Sequence, residues 1–284
     1  MRTLNAATPS FSAADDGPDR LTRLVALLVI PFLLAAFVIL YLQPESSGTR
    51  FAWEIRPALT AAWMGAGYLG GAWFFLRVAL ARRWGQVAAG FWPVTTFTWA
   101  MLLTTVLHWS RFELAHWPFL IWLVLYLVTP FLIPWLWWRN QRRVGRPVVG
   151  PEELLVPAGI RLGMLAVAGL MLISCLVAFV APHLLVRFWP WALTPLTARV
   201  MGGWFALMGV GGLTMWREPR WSGWRYEVES IIFVWHLLML VGAIWRRADF
   251  KPGGGWFIGA EAAVVLLLAV VYFYMTRQQQ RGQQ

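Results

Sequence analysis

Residues 50 to 84 read RFAWEIRPALTAAWMGAGYLGGAWFFLRVALARRW, and residues 187 to 221 repeat their pattern as RFWPWALTPLTARVMGGWFALMGVGGLTMWREPRW. The two stretches align without a gap at an offset of 137 positions, which matches Thr60 with Thr197, Met64 with Met201 and Trp84 with Trp221. Trp, Arg and Gly are common in this chain, so some matches arise by chance. A continuous match of this length nevertheless favours an internal duplication.

The composition is that of an integral membrane protein, with 59% hydrophobic and 13% charged residues and a mean hydropathy of +0.59. A helix needs roughly 20 residues to cross a hydrocarbon core of about 30 Å. Eight segments reach or approach that length, so the predicted fold class is an all-α polytopic membrane protein with eight transmembrane helices, built as two parallel four-helix repeats. The predicted spans are Leu24 to Leu42, Pro57 to Leu76, Val87 to Leu107, Pro118 to Trp138, Leu162 to Val180, Val200 to Trp216, Ser230 to Trp245 and Trp256 to Met275.

The duplication also predicts the domain boundaries. A disordered cytoplasmic tail (1–20) precedes the first four-helix repeat (21–143), and a linker rich in Gly and Pro (144–157) leads to the second repeat (158–276) and a Gln-rich tail (277–284). Because four spans return the chain to the side on which it started, both repeats are expected to face the same way.

Most of the 24 Lys and Arg residues fall on one side of the predicted spans. This asymmetry predicts that both termini lie in the cytoplasm, although Arg246, Arg247 and Lys251 lie on the other side. The Arg-rich, nearly Lys-free composition is compatible with a high-GC bacterium, so the expected location is a bacterial plasma membrane. The net charge of +11 comes from cations that flank apolar spans. The expected partners are therefore anionic lipid headgroups at the cytoplasmic face, and nucleic acid is not expected. The oligomeric state is left open.

Tryptophan occurs 21 times, mostly at span ends, where its amphipathic ring fits the headgroup region. An aromatic cage for a cationic ligand is the alternative interpretation. It concerns the six tryptophans inside predicted spans: Trp63, Trp73, Trp99, Trp122, Trp204 and Trp235.

Small residues form stripes on the second span (Ala62, Ala66 and Gly70) and on its repeat partner, the sixth (around Gly202 and Gly209). Helices in lipid associate through such residues, because these let two backbones approach closely. The pattern predicts that spans two and six pack against each other, with packing alone as a sufficient reason for these glycines.

The sequence has few nucleophilic or metal-ligating residues and few recognisable catalytic motifs. Cys175 is the single cysteine and Lys251 the single lysine. The chain has no phosphate-binding glycine loop, no zinc-protease helix and no nucleophile elbow. These absences argue against a nucleotide-driven pump and a zinc protease, and no catalytic residue, metal site or cofactor is predicted.

Two ionisable residues fall at membrane depth, where such groups often mark function. Glu261 lies near the start of the eighth span and His236 near the middle of the seventh, so the sequence predicts a substrate- or ion-binding site at this pair. The alternatives are an interfacial Glu261 paired with Arg246 or Arg247, and a neutral His236 bonded to a backbone carbonyl.

Polar residues also gather at the predicted outer face, where His108, Glu113 and His183 form a candidate cluster. Hydrogen bonding to lipid headgroups is the ordinary alternative. A haem or metal site is less favoured than this alternative. On the inner side, Glu229 precedes the seventh span, where a helix N-terminus favours an acid electrostatically.

The stretch RFWPWALTPLTAR (187–199), with Gly202 and Trp204, resembles uncharacterised multi-pass bacterial membrane proteins, mainly of high-GC Gram-positive type. The segments His108-Trp109-x-Arg111-Phe112 and Glu218-x-Arg220-Trp221 are similar to others in that group. The resemblance implies a multi-pass membrane protein. It implies no activity, because none is known for the family.

Two classes of function remain. The duplication, the Gly-rich spans and Glu261 favour a small-solute or ion transporter or channel. The alternative is a non-transporting scaffold whose polar groups bond only between helices. A membrane-embedded enzyme is the weaker third option, because no nucleophile and base occur at helical spacing.

Overall fold

The computed structural model describes residues 16–145 and 153–282 and is built almost entirely from helices. The long helices are α1 (Arg20–Phe37), α2 (Ala58–Leu80), α3 (Phe91–Leu107), α4 (Trp117–Val144), α5 (Ala158–Val180), α6 (Pro195–Arg217), α7 (Trp221–Trp245) and α8 (Trp256–Arg281). A π-helical stretch (Val38–Leu42) extends α1, and another (Ser230–His236) lies inside α7. Short helices connect the long ones: Pro44–Ser46, Ser47–Arg50, Trp84–Gln86, Ala88–Gly90, Trp109–Arg111, Pro182–Phe188 and Arg247–Asp249.

Within the described residues, seven helices are long and apolar enough to cross a membrane, whereas eight were predicted. The exception is α2, which has 23 residues but carries four glycines, two tryptophans and Arg77. Most of α2 is buried against other helices. A helix that contacts protein on most sides needs small residues more than it needs strongly apolar ones, which explains its composition.

Some helices differ from the predicted spans at their ends. The helical stretch α7 begins at Trp221 instead of Ser230 and has 25 residues, so the expectation of a short seventh span was wrong. Its first two turns therefore contain Glu227 and Glu229. Residues 1–15 of the predicted tail and 146–152 of the predicted linker lie outside the described residues, and α8 continues to Arg281, into the predicted C-terminal tail.

The helices pack mainly as neighbouring pairs, α1 with α2, α3 with α4, α5 with α6, and α7 with α8. Two further contacts join the halves of the chain: α2 packs against the π-helical part of α7, and α3 packs against α6. The largest buried cluster contains Trp63, Trp204 and Trp235 and lies between these halves. Apolar side chains on α4, α5 and α8 remain exposed, as expected for surfaces that face lipid.

The small residues of α2 and α6 do not hold these two helices together, which corrects the prediction. A Cβ on Gly65 would lie 2.8 Å from the backbone nitrogen of Tyr41 in the extension of α1, and one on Gly212 would lie 2.9 Å from Ala168 of α5. Gly65 and Gly212 thus allow close packing within each half. Contact between α2 and α6 is made instead by the Trp204 ring, which covers Gly67.

One end of the bundle is defined by Arg23, near the start of α1. Its guanidinium donates to the carbonyl of Ala79 and, at 2.6 Å, to that of Ala81, at the end of α2. These bonds place the start of α1 beside the end of α2, so the two helices are antiparallel. We call this the Arg23 end, and the opposite one the His108 end.

Candidate functional site

The two predicted site residues on α7 and α8 are in contact. Nδ1 of His236 lies 2.6 Å from Oε1 of Glu261, and Glu261 is only 7% exposed. Arg246, one of the two arginines proposed as partners of Glu261, pairs instead with Glu45 at 3.1 Å. The pair joins α8 to α7.

Glu261 is unusual for its helix. The face of α8 toward lipid carries exposed apolar residues such as Leu266 and Leu267, both more than 60% exposed, whereas the buried residues are Phe257, Glu261 and Met275. A carboxylate on this narrow buried face holds α8 in place through His236. That contact alone is a sufficient structural reason for the pair.

His108, from the predicted outer-face cluster, has a side-chain partner on α6. Nε2 of His108 lies 2.8 Å from Nη1 of Arg199, and burial together with the nearby Arg199 and Arg111 lowers the pKa of His108. In the described part of the chain, no group of three His, Cys, Asp or Glu side chains is arranged to hold a metal ion. The grouping of His108 with Glu113 and His183 therefore stays a prediction, with Arg199 as the observed partner of His108.

A cavity lies in the middle of the bundle, between the first-half helices and the facing parts of α6 and α7. Its cavity volume is about 140 Å³. Its wall is nearly all apolar, and glycines of α2 and α6 contribute to it. A Cβ on Gly71 would meet only Leu33, at 3.4 Å, and one on Gly211 would meet only Pro93, at 3.6 Å. These glycines leave room in the cavity where larger side chains would fill it.

Glu227 of α7 lies at the Arg23 end of this cavity. It is 6% exposed, and its Oε1 atom is buried without a hydrogen-bond partner. Gly90 makes room for it, because a Cβ there would lie 3.2 Å from Oε1 of Glu227 and 2.4 Å from the ring of Phe74. A carboxylate is costly to bury without a partner, so an unpaired one facing a cavity is a candidate binding group.

Glu229, two residues further along α7, has several partners. Its Oε2 accepts from Arg77 at 2.7 Å, and its Oε1 accepts from Arg225 and Tyr272 at 3.1 Å. The guanidinium of Arg77 also lies between the rings of Trp73 and Tyr226, with centroid distances of 4.7 and 4.8 Å. The nearby cations are thus bound to Glu229, and no bond links them to Glu227.

Aromatic rings form the wall of the cavity toward its middle. The Trp204 ring centroid lies 4.4 Å from that of Phe97, 5.0 Å from that of Trp235 and 5.3 Å from that of Tyr68. Trp204 and Trp235 are two of the tryptophans singled out as a possible cage. Trp235 also precedes His236, so the predicted pair lies directly behind this wall.

Most other polar groups of the wall already have partners. The hydroxyls of Tyr68 and Tyr126 are 3.3 Å apart, and Ser230 donates to the carbonyl of Gly70 at 2.7 Å. Thr98 donates to a carbonyl one turn earlier. The indole nitrogen of Trp204 is buried without an acceptor. Among the described wall residues, the oxygen available to a ligand is therefore mainly that of Glu227.

The cavity reaches the surface between α1 and α4. Phe32 of α1 lines it and is 44% exposed, and Thr129 of α4 lines the same side. These two helices do not pack closely along their lengths. They are joined at the Arg23 end, where Asn140 donates to Thr22 at 2.7 Å. The mouth therefore opens sideways, toward the region that lipid occupies.

Sequence reasoning missed Glu227, because the seventh span was predicted to begin at Ser230 and only Glu229, among the acids before it, was interpreted. One signal was present: two acids, Glu227 and Glu229, occur directly ahead of a long apolar run. The helix continues through both without a break, which brings Glu227 into the bundle.

We compared the chain with protein-family models, curated proteins and solved structures, and no match was found in any of the three. The geometry described above is therefore the basis for the functional proposal.

Proposed function

We propose that this chain is a membrane transporter that binds a small lipophilic solute in the central cavity. The single observation behind the proposal is the cavity itself, which combines an apolar aromatic wall, a mouth toward lipid and the unpartnered carboxylate of Glu227. Ligand sites commonly have this composition, apolar with a few polar groups. A packed scaffold has no use for such a space, because each unfilled volume lowers stability.

The finer architecture that we propose is eight crossings in two parallel repeats. In support, Arg161 at the start of α5 donates to the carbonyl of Trp216 at the end of α6, at 2.7 Å. Arg23 makes the equivalent bond to Ala79, and Ala79 and Trp216 are separated by the 137-residue offset. The α1–α2 contact thus has a counterpart in α5–α6, and counting α2 as a crossing gives each half four.

Contacts between aligned residues support a pseudo-twofold axis through the cavity. Positions related by such an axis touch each other only close to it. Gly67 contacts Trp204, and Gly90 contacts Glu227, and both pairs are separated by 137 residues. In each pair the first half supplies glycine, and the second half supplies the large side chain that occupies the space. The proposed site is therefore asymmetric although the scaffold is repeated.

For localisation we propose the bacterial plasma membrane, with the Arg23 end and both termini in the cytoplasm. The cation distribution supports this orientation, and anionic headgroups are the proposed partners of the arginines there. We also keep His236 and Glu261 as a proposed second polar site. Its support is their position behind Trp235, next to the cavity wall.

Binding of a solute in the cavity is tested with variants whose side chains fill it. We expect the purified protein in lipid nanodiscs to bind the neutral dye N-phenyl-1-naphthylamine saturably. Gly71→Phe and Gly211→Phe place a ring in the cavity and are expected to abolish this binding. Gly259→Phe is the matched control, because Gly259 is exposed on α8 and a Cβ there meets nothing within 4 Å. Equal binding in all variants, or none in the wild type, would favour the scaffold.

A separate experiment tests transport by measuring from which side of the membrane a thiol reagent reaches the cavity. A cysteine at Gly211 in a Cys175→Ala background is treated with a membrane-impermeant thiol reagent from either side of oriented vesicles. We expect the dye to change the ratio of labelling from the two sides, because a transporter exposes its site alternately. Labelling that does not depend on the dye would contradict transport and leave a binding protein.

A further inference from the structure

We propose that the solute is a lipophilic organic cation carrying one positive charge, held by the carboxylate of Glu227. This inference rests on the proposed function, because it concerns the same cavity. It goes further by naming the chemical class of the solute and the residue that selects it.

The charge of the ligand follows from the charges around the cavity. Among the described residues that line it, Glu227 is the only carboxylate, and there is no Arg, Lys or His. Arg77 of α2 and Arg225 of α7 are both bound to Glu229. A buried carboxylate is stable when it is paired. A ligand with one positive charge supplies that pair, whereas an anionic ligand would add a second unpaired charge.

The wall excludes a bare metal ion and favours an organic one. Calcium takes six to eight oxygen ligands and magnesium near-octahedral oxygen coordination. Here the Glu227 carboxylate is the one charged oxygen ligand on the described wall, and the hydroxyls of Tyr68, Tyr126 and Ser230 are neutral and already bonded to one another or to Gly70. The rest of the wall is apolar. An organic cation buries its hydrocarbon surface against such a wall and needs few polar contacts.

The aromatic rings provide a second source of attraction for a cation. Trp204, Trp235 and Phe97 stand next to one another on the cavity wall, and indole faces attract cations most strongly among aromatic rings. The sideways mouth between α1 and α4 lets an amphipathic molecule enter from the lipid. The charge of Glu227, the aromatic wall and the position of the mouth thus all favour a lipophilic organic cation.

The experiment compares two probes of equal shape and opposite charge, tetraphenylphosphonium and tetraphenylborate, on the full-length protein in nanodiscs. We expect saturable binding of radiolabelled tetraphenylphosphonium to the wild type. Glu227→Gln keeps the size of the side chain and removes the charge, and should weaken this binding roughly tenfold or more. Glu227→Asp should retain part of it. Tetraphenylborate should bind Glu227→Gln no more weakly than the wild type.

A matched control removes a carboxylate elsewhere. The side chain of Glu54 is 58% exposed, so Glu54→Gln should bind tetraphenylphosphonium like the wild type. Unchanged binding in Glu227→Gln, or no saturable binding in the wild type, would overturn the cation assignment. If Glu227→Gln still binds the neutral dye and Gly71→Phe does not, the cavity function stands whatever the outcome for the cation.

Discussion

Three acids are buried in α7 and α8, in the second half of the molecule, and they differ in whether their carboxylates have a bonding partner. Glu229 and Glu261 each have partners on a neighbouring helix, Arg77 and His236 respectively. Glu227 has an oxygen without a partner and faces a cavity. Partnered acids hold helices together, whereas an unpartnered one lowers stability unless something binds it. By this criterion Glu229 and Glu261 stabilise the helix packing, whereas Glu227 belongs to the proposed binding site.

Breaking the Glu229 network should have the largest effect on stability. Glu229→Ala leaves the half-buried guanidinium of Arg77 and its neighbour Arg225 without a carboxylate. We expect a loss of about 3 kcal/mol, measured by SDS-induced unfolding in mixed micelles. Glu54→Ala is the control, because its carboxylate is exposed and should matter little. A change as small as that of the control would mean that the network does not join α7 to α2.

Breaking the His236–Glu261 pair should have a smaller effect. Glu261→Leu leaves one buried ring nitrogen without its partner, which we expect to lower the free energy of unfolding by about 2 kcal/mol. In the double variant His236→Phe with Glu261→Leu neither polar group remains, so part of the loss should be recovered. Additive losses in the double-mutant cycle would show that the two side chains do not interact in the membrane.

Much of the helical framework could be predicted from sequence, because apolar length is encoded locally. The ends of α3 and α5, for example, lie within a few residues of the predicted ones. The small residues of α2 were all assigned to α6, whereas Gly65 packs on the extension of α1 and Gly70 on Ser230 of α7, since a stripe of small residues shows that something approaches closely but not what. His236 and Glu261 were predicted from their depth as residues of one polar site, with their pairing left open. Glu227 was missed, because whether an acid at a helix start faces headgroups or a cavity depends on Gly90 and Phe74, which are distant in sequence.

The smallest effect on stability, and the one of opposite sign, is expected at Glu227. Glu227→Met has a side chain of similar length without the charge, and Met adapts to irregular spaces. Since no hydrogen bond to Oε1 is lost, and an unpaired polar group leaves an apolar surrounding, stability should stay equal or rise by up to about 1 kcal/mol in the same unfolding assay. A loss as large as that of Glu261→Leu would mean that Glu227 has a partner in the membrane and belongs to the framework. A gain together with lost solute binding would show an acid kept at a cost to stability, as expected of a site that is completed by its ligand.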